Sequence, residues 1–252
     1  MRGSWQCGAI WISSAAASVF EQLLRQVADF RGDLVRNIKG IRVSQDLFDD
    51  VAHPGDEKRA DLAVAIAAES ATRMPSPAPL ITRPFDYGTV ITFPFVPENW
   101  HATRYSDGLG YGVWYGALEL ETTVRETLYH WHRFVTDSFT LDREIVGERR
   151  VFQVRCEAIL IDLRKAKEPR LVDRNDYSFT QQLGSYLSRR AQSGLLAPSA
   201  RGPGTAAAIL RAEALSDVRD VCYLTYRMNP RHNMASVERT PGETWLRINI
   251  PA

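Results

Sequence analysis

The chain is poor in several things that would have declared a function class. It has three cysteines, Cys7, Cys156 and Cys222, widely spaced and with no CxxC pair. A disulfide framework needs an even set and a structural zinc site needs paired thiolates, so both are disfavoured and a reducing cytoplasm fits. Charge imbalance is nearly absent, because 31 Lys+Arg against 30 Asp+Glu leave a net charge of +1. That removes any global electrostatic case for nucleic acid or a membrane surface as partner. An apolar run of about 20 residues, the length a spanning helix needs, is also missing. Lysine is scarce: Lys39, Lys58, Lys165 and Lys167 are the only ones, and the other 27 cations are Arg. A guanidinium suits planar capture of carboxylates and phosphates, but an Arg-favouring codon usage produces the same bias, so it identifies nothing alone.

Familiar catalytic loops are missing as well. No serine sits in a G-x-S-x-G elbow, which leaves a hydrolase triad unsupported. Gly108-Leu-Gly-Tyr-Gly112 is followed by no Lys-Ser/Thr and completes no G-x-G-x-x-G, so it reads as a tight turn. His130 and His132, two apart on an expected helix, diverge and cannot share a metal, and none is expected. Arg2 with the stretch Cys7 to Ala17 imitates a short signal peptide. Gln6, Ser13 and Ser14 interrupt it and the pattern runs on into a helix, so a cytoplasmic protein is expected.

What remains is an ordinary globular composition, 44% hydrophobic and 24% charged over 252 residues, with ample apolar side chain for a core. Val19, Leu23, Val27, Phe30, Leu34 and Ile38 recur at three- and four-residue steps and predict one helix from Ser13 to about Ile38. A second helical stretch is expected from Pro54 to Thr72. Met74-Pro-Ser-Pro-Ala-Pro79 then reads as an extended linker, dividing an N-terminal helical region (1–75) from a second domain (76–252). In that domain, strands are expected at Gly88–Phe95, Gly112–Ala117, Arg149–Cys156, Ala158–Leu163, Val221–Met228 and Thr244–Ile250. Gly194–Pro198 and Thr205–Leu210 read as short apolar segments around a Gly/Pro turn. Helices are expected at Thr122–Val135, with Thr122 near the cap, and Ser178–Gln192. Strands and helices without a βαβ rhythm indicate an α+β fold.

The chemistry-bearing residues cluster in that second domain. They are Arg83 after the linker, Arg104-Tyr-Ser-Asp-Gly108, Gly112-Val-Trp-Tyr-Gly-Ala117, Glu121-Thr-Thr-Val-Arg-Glu126-Thr-Leu-Tyr-His130, and Pro198-Ser-Ala-Arg-Gly-Pro-Gly204. These blocks resemble the RES domain family, named for an Arg, a Glu and a Ser, over about residues 80 to 230. The N-terminal 75 residues have no counterpart in the minimal family domain.

The resemblance implies a mixed β core with flanking helices, similar to ADP-ribosyltransferases, here with an N-terminal helical extension. It implies the toxin half of a type II toxin–antitoxin pair, with an Xre-type helix-turn-helix antitoxin as partner and no direct nucleic-acid or membrane binding. It also implies NAD⁺ as substrate, the nicotinamide–ribose bond being cleaved with inorganic phosphate as co-substrate and no cofactor. Products would be nicotinamide and ADP-ribose-1″-phosphate. Water as acceptor, ADP-ribose transfer to a macromolecule and a non-enzymatic binding module are the alternatives. The N-terminal region could dock on the core, dimerise or meet an antitoxin.

Within that resemblance Glu126 is the family's Glu, Arg104 its Arg and Ser199 its Ser. Arg83 matches a further early Arg. Breaking a bond to a cationic pyridinium makes an oxocarbenium-like ribosyl centre, which a carboxylate such as Glu126 stabilises. Arg104 and Arg83 suit the pyrophosphate. Tyr115 could stack on nicotinamide or ribose, Tyr105 is a weaker candidate beside Arg104, and Ser199 with Arg201 could meet the incoming phosphate.

Overall fold

The structure, a computed structural model, describes residues 14–40, 88–139, 141 and 143–250. The second helical stretch, the proline linker, the division near residue 75 and Arg83 lie outside the described residues.

Helix α1 (Ser14–Leu23) stops far short of Ile38, and the expected single helix is corrected. The chain turns and forms strand β1 (Val27–Lys39) instead. The physical reason is an ambiguity of spacing. Phe30, Leu34 and Ile38 are four apart, close to one helical turn and also two strand periods. They pack in one core cluster while Val35 points into another, the alternation of a strand.

The expected strand at Gly88–Phe95 is likewise corrected: Gly88–Thr92 forms the short helix α2 and Phe93–Phe95 a 3₁₀ turn. Tertiary packing overrides the β-branched composition. Val90 is buried, its carbonyl accepts the Trp114 indole N–H at 2.9 Å, and Pro94 has no donor for a ladder. A two-stranded hairpin follows, β2 (Ala102–Thr103) and β3 (Ser106–Asp107), turning at Arg104 and Tyr105.

Next come β4 (Trp114–Ala117) and helix α3 (Leu120–Ser138), entered through Glu119 and not through Thr122. The two strands expected between 149 and 163 are one 18-residue strand, β5 (Ile145–Asp162). Helix α4 (Ser178–Arg189), β6 (Gly194–Pro198), β7 (Thr205–Ile209), β8 (Leu215–Asn229), β9 (Met234–Thr240) and β10 (Glu243–Asn249) complete the chain. Of these, β9 had no forecast.

Eight strands form one mixed sheet in the order β1-β4-β7-β6-β5-β8-β9-β10. The β5–β6 pair is parallel and the other pairs are antiparallel. Strand β1 also pairs with β5 from Val27↔Ile161 to Lys39↔Arg149, so β1, β4, β7, β6 and β5 close into a ring. Alternate residues of the central strands feed opposite faces. Leu195 and Ala208 lie in a cluster with Phe20, Leu183 and Leu187 of α1 and α4, whereas Leu196, Ala207 and Ile209 pack with Trp114, Phe152 and Val154. Helix α3 seals a third cluster with the stripe Val124, Leu128, Trp131 and Val135, one helical face. This is the α+β architecture that the mixture of elements implies.

Candidate functional site

The site is built where the 199–204 loop is clamped to the first turn of α3. The Ser199 N–H donates to the Gly204 carbonyl at 3.0 Å and closes the loop. Glu119, at the helix entry, accepts from the Thr205 N–H and the Thr122 hydroxyl, each at 3.0 Å. The same hydroxyl lies 3.2 Å from the Pro203 carbonyl. Gly204 makes this approach possible. It has φ +109°, and a Cβ there would sit 2.0 Å from Thr122 Oγ1, so a side chain meets both strain and collision.

The clamp has a chemical consequence. Ser199 Oγ donates to Glu126 Oε1 at 2.6 Å, joining residues 73 positions apart in sequence. Ser199 Oγ also accepts the Arg201 N–H at 3.1 Å. The serine hydroxyl therefore has a defined direction, with its proton on the carboxylate side.

Two arginines flank this pair without an ion pair among the described residues. Arg201 is buried, 8% exposed, with its guanidinium 3.3 Å from the centre of the Tyr129 ring. Its Nη2 donates to the Arg174 carbonyl and to the Tyr177 hydroxyl, both at 2.6 Å. Arg104 lies over the face of the same Tyr177 at 4.4 Å and donates to the carbonyls of Leu171 (3.3 Å) and Asp173 (2.8 Å). Tyr177 thus ties the two cations together. Nη2 of Arg104 and both Nε and Nη1 of Arg201 are buried N–H groups with no partner among the described residues. Buried donors are nearly always bonded, so three unmet ones on two cations are an exception, and an anion is the chemistry that would satisfy them.

Tyr105 and Tyr115 stand behind Arg104. The Tyr115 hydroxyl lies 2.8 Å from Thr103 Oγ1 and accepts the Tyr105 N–H at 2.9 Å. It therefore pins the hairpin turn that carries Arg104. Burial pushes the Tyr115 phenol up to about 12 and keeps it protonated. Tyr105 is 3% exposed with an unpartnered hydroxyl. Burial raises its pKa above the ordinary range, opposed by Arg104 and assisted by Tyr115 and Glu126. On α3, His130 follows Glu126 by one turn. Desolvation first, then Arg201, Arg104, Arg133 and Arg149, push its imidazole down to about 4, so the ring is neutral at neutral pH.

Of the residues expected from sequence, Glu126, Ser199 and Arg201 are brought into one hydrogen-bonded chain. Arg104 joins them through Tyr177, with Tyr105 and Tyr115 as the wall behind it. Tyr129, His130, Arg174 and Tyr177 had not been assigned to a site. Tyr129 and His130 at least lie in the quoted block around Glu126. Arg174 and Tyr177 lie in a loop whose sequence gives no signal. Among the described residues no cluster of His, Cys, Asp and Glu could hold a metal ion, and no helix is long and apolar enough to cross a membrane.

Arg104, Glu126 and Ser199 come from three distant segments of the chain. The RES domain model matches residues 77–229, more than half of the chain. The chain belongs to the RES domain family. The matched span takes in every described element of the site, from the Arg104 hairpin to the 199–204 loop, while α1 and β1 lie before the RES match. No curated protein matches the chain. Among solved structures, it is similar to a chain of the M. tuberculosis MbcT–MbcA toxin–antitoxin complex. The two share 11% identity over 87% of this chain and 94% of that one, with a TM-score of 0.46.

Proposed function

We propose that this RES domain protein is a toxin that destroys NAD⁺, cleaving the nicotinamide–ribose bond with inorganic phosphate as acceptor. The observation that carries the reading is the 2.6 Å contact of Ser199 with Glu126, set beside two arginines whose buried donors lack partners. In the reaction, the bond from the ribosyl anomeric carbon to the pyridinium nitrogen breaks and its electron pair stays on nitrogen. Nicotinamide leaves neutral, so no strong general acid is required. Glu126 keeps Oε1 on Ser199 and offers Oε2 to the ribose hydroxyls and to the developing oxocarbenium charge. A phosphate oxygen then supplies the pair for the new bond, giving ADP-ribose-1″-phosphate. Arg104 suits the dinucleotide pyrophosphate, because its free Nη2 can donate while its other nitrogen is anchored on Asp173. An Xre-type antitoxin would restrain the enzyme in the cytoplasm, where its substrate is.

The test is NAD⁺ loss in purified protein with and without phosphate, with product identification. A rate that rises and saturates with phosphate and yields ADP-ribose-1″-phosphate is expected. Plain ADP-ribose at a phosphate-independent rate would leave a glycohydrolase, and intact NAD⁺ would end the enzymatic reading.

A further inference from the structure

A cavity of about 170 Å³ opens between α3, the 174 loop, Arg201 and the end of β10. Its lining is cationic on one side, with Arg125, Arg174 and Arg201, and apolar on the other, with Leu128, Ile248 and Ile250. Arg125 is paired with Glu121 at 2.6 Å. Neither Arg174 nor Arg201 has an ion pair among the described residues, and Nε and Nη1 of Arg201 are buried with no hydrogen-bond partner there. Asp173 is near, but its carboxylate is turned to the backbone N–H groups of Asn175 and Asp176. Two cations without an ion pair among the described residues therefore line a small cavity with an apolar wall, Arg201 within electrostatic range of the Asp173 carboxylate, and the wall raises the strength of any charge contact inside the cavity. The Ile250 N–H donates to the Asn233 carbonyl at 2.7 Å and holds that wall in place.

We infer that this cavity is a subsite for a tetrahedral phosphate-type oxyanion, held by Arg201 and Arg174 with Tyr129 as its platform. The space available is many times that needed for one water molecule, so a tetrahedral anion with part of its hydration fits. Arg201 links the two places. Its backbone N–H rests on Ser199 Oγ and its side chain lines the cavity, so an anion held there lies next to the residue bonded to the Glu126–Ser199 pair. In naming phosphate, the inference rests on the NAD⁺ reading above. Two sources share this chemistry, free phosphate as acceptor and a phosphate of the dinucleotide.

The experiment measures equilibrium binding by calorimetry on the full chain, with inorganic phosphate alone and with ADP-ribose alone. The variants are Arg174→Ala, whose side chain is exposed and free to change, and Arg201→Lys, which keeps the charge but not the planar fork. Saturable phosphate binding that either variant weakens about tenfold supports the subsite and identifies free phosphate as its ligand. The same loss confined to ADP-ribose supports the subsite and identifies the dinucleotide phosphate. If neither ligand responds to either variant, the inference is overturned. Binding needs no turnover, so a protein that holds phosphate but leaves NAD⁺ intact would sink the proposed activity and keep the subsite.

Discussion

On the outer faces of the long strands and their connections, arginines sit beside carboxylates. Arg155 meets Glu157 at 2.9 Å, Arg164 meets Asp162 at 2.7 Å, Arg227 meets Glu238 at 2.7 Å, and Arg150 is paired with Asp220. Around Ser199 the same residue type behaves differently. Arg104 and Arg201 lean on tyrosine rings and backbone carbonyls, groups that orient a guanidinium without cancelling its charge. A compositional bias toward Arg thus separates into two uses once partners are counted. One forms ion pairs; the other is held by rings and carbonyls, with no ion pair among the described residues.

The strongest way to test that contrast is at its centre. Glu126→Gln should fold like wild type and lose about 10²–10³-fold in NAD⁺ turnover. Near-normal turnover in a protein with an unchanged melting curve would remove Glu126 from the mechanism. Arg104→Ala should lower kcat/KM for NAD⁺ by about 10–100-fold, the scale of a lost charge-assisted contact. Expressed in a bacterium, it should relieve both growth arrest and NAD⁺ depletion. Growth arrest without NAD⁺ loss would point to a different target.

Gly204→Ala acts on the clamp itself. A methyl group 2.0 Å from Thr122 Oγ1 at φ +109° should destabilise the fold by about 1–3 kcal/mol, read from chemical denaturation. Unaltered stability would show that the loop can leave the helix freely.

His130 gives a pH signature. Its folded pKa of about 4 lies below the unfolded value of 6.5, so the unfolded chain binds more protons between those values. Stability should be full above about pH 6.5 and fall as the solution is acidified toward about 4. His130→Gln should flatten that part of the profile, and an unchanged profile would count against the depressed imidazole.

At the small end, Arg155→Ala should change stability by less than about 1 kcal/mol and leave NAD⁺ turnover alone. A large loss of activity there would erase the distinction between the two sets of arginines.

The sequence made the site more legible than the fold around it. Arg104, Glu126 and Ser199 could be picked out because each sits in a distinctive short block, and the blocks survive being separated by a hundred residues. Helix α3 and strand β4 were also readable, whereas β6 and β7 read only as short apolar segments, because Gly-Leu-Leu-Ala-Pro and Thr-Ala-Ala-Ala-Ile show no alternation. Strand β1 was not, because a four-residue spacing satisfies helix and strand alike. Strand β5 was read as two because Glu157 interrupts its apolar pattern. Tyr177 and Arg174 carry no local signal at all. They matter only because the fold lays their loop against Arg201, and that proximity is a property of packing.

The pairing of β1 with β5 has a consequence in time. During synthesis the segment Val27–Lys39 leaves the ribosome well before its partner Ile145–Asp162 exists, with more than a hundred residues to be made in between. At about 5–20 residues per second, that is a delay of several seconds or more. The ring cannot close in that interval, and Ser199 is made later still. A nascent chain therefore has neither the closed ring nor the Glu126–Ser199 contact until Ser199 has been translated.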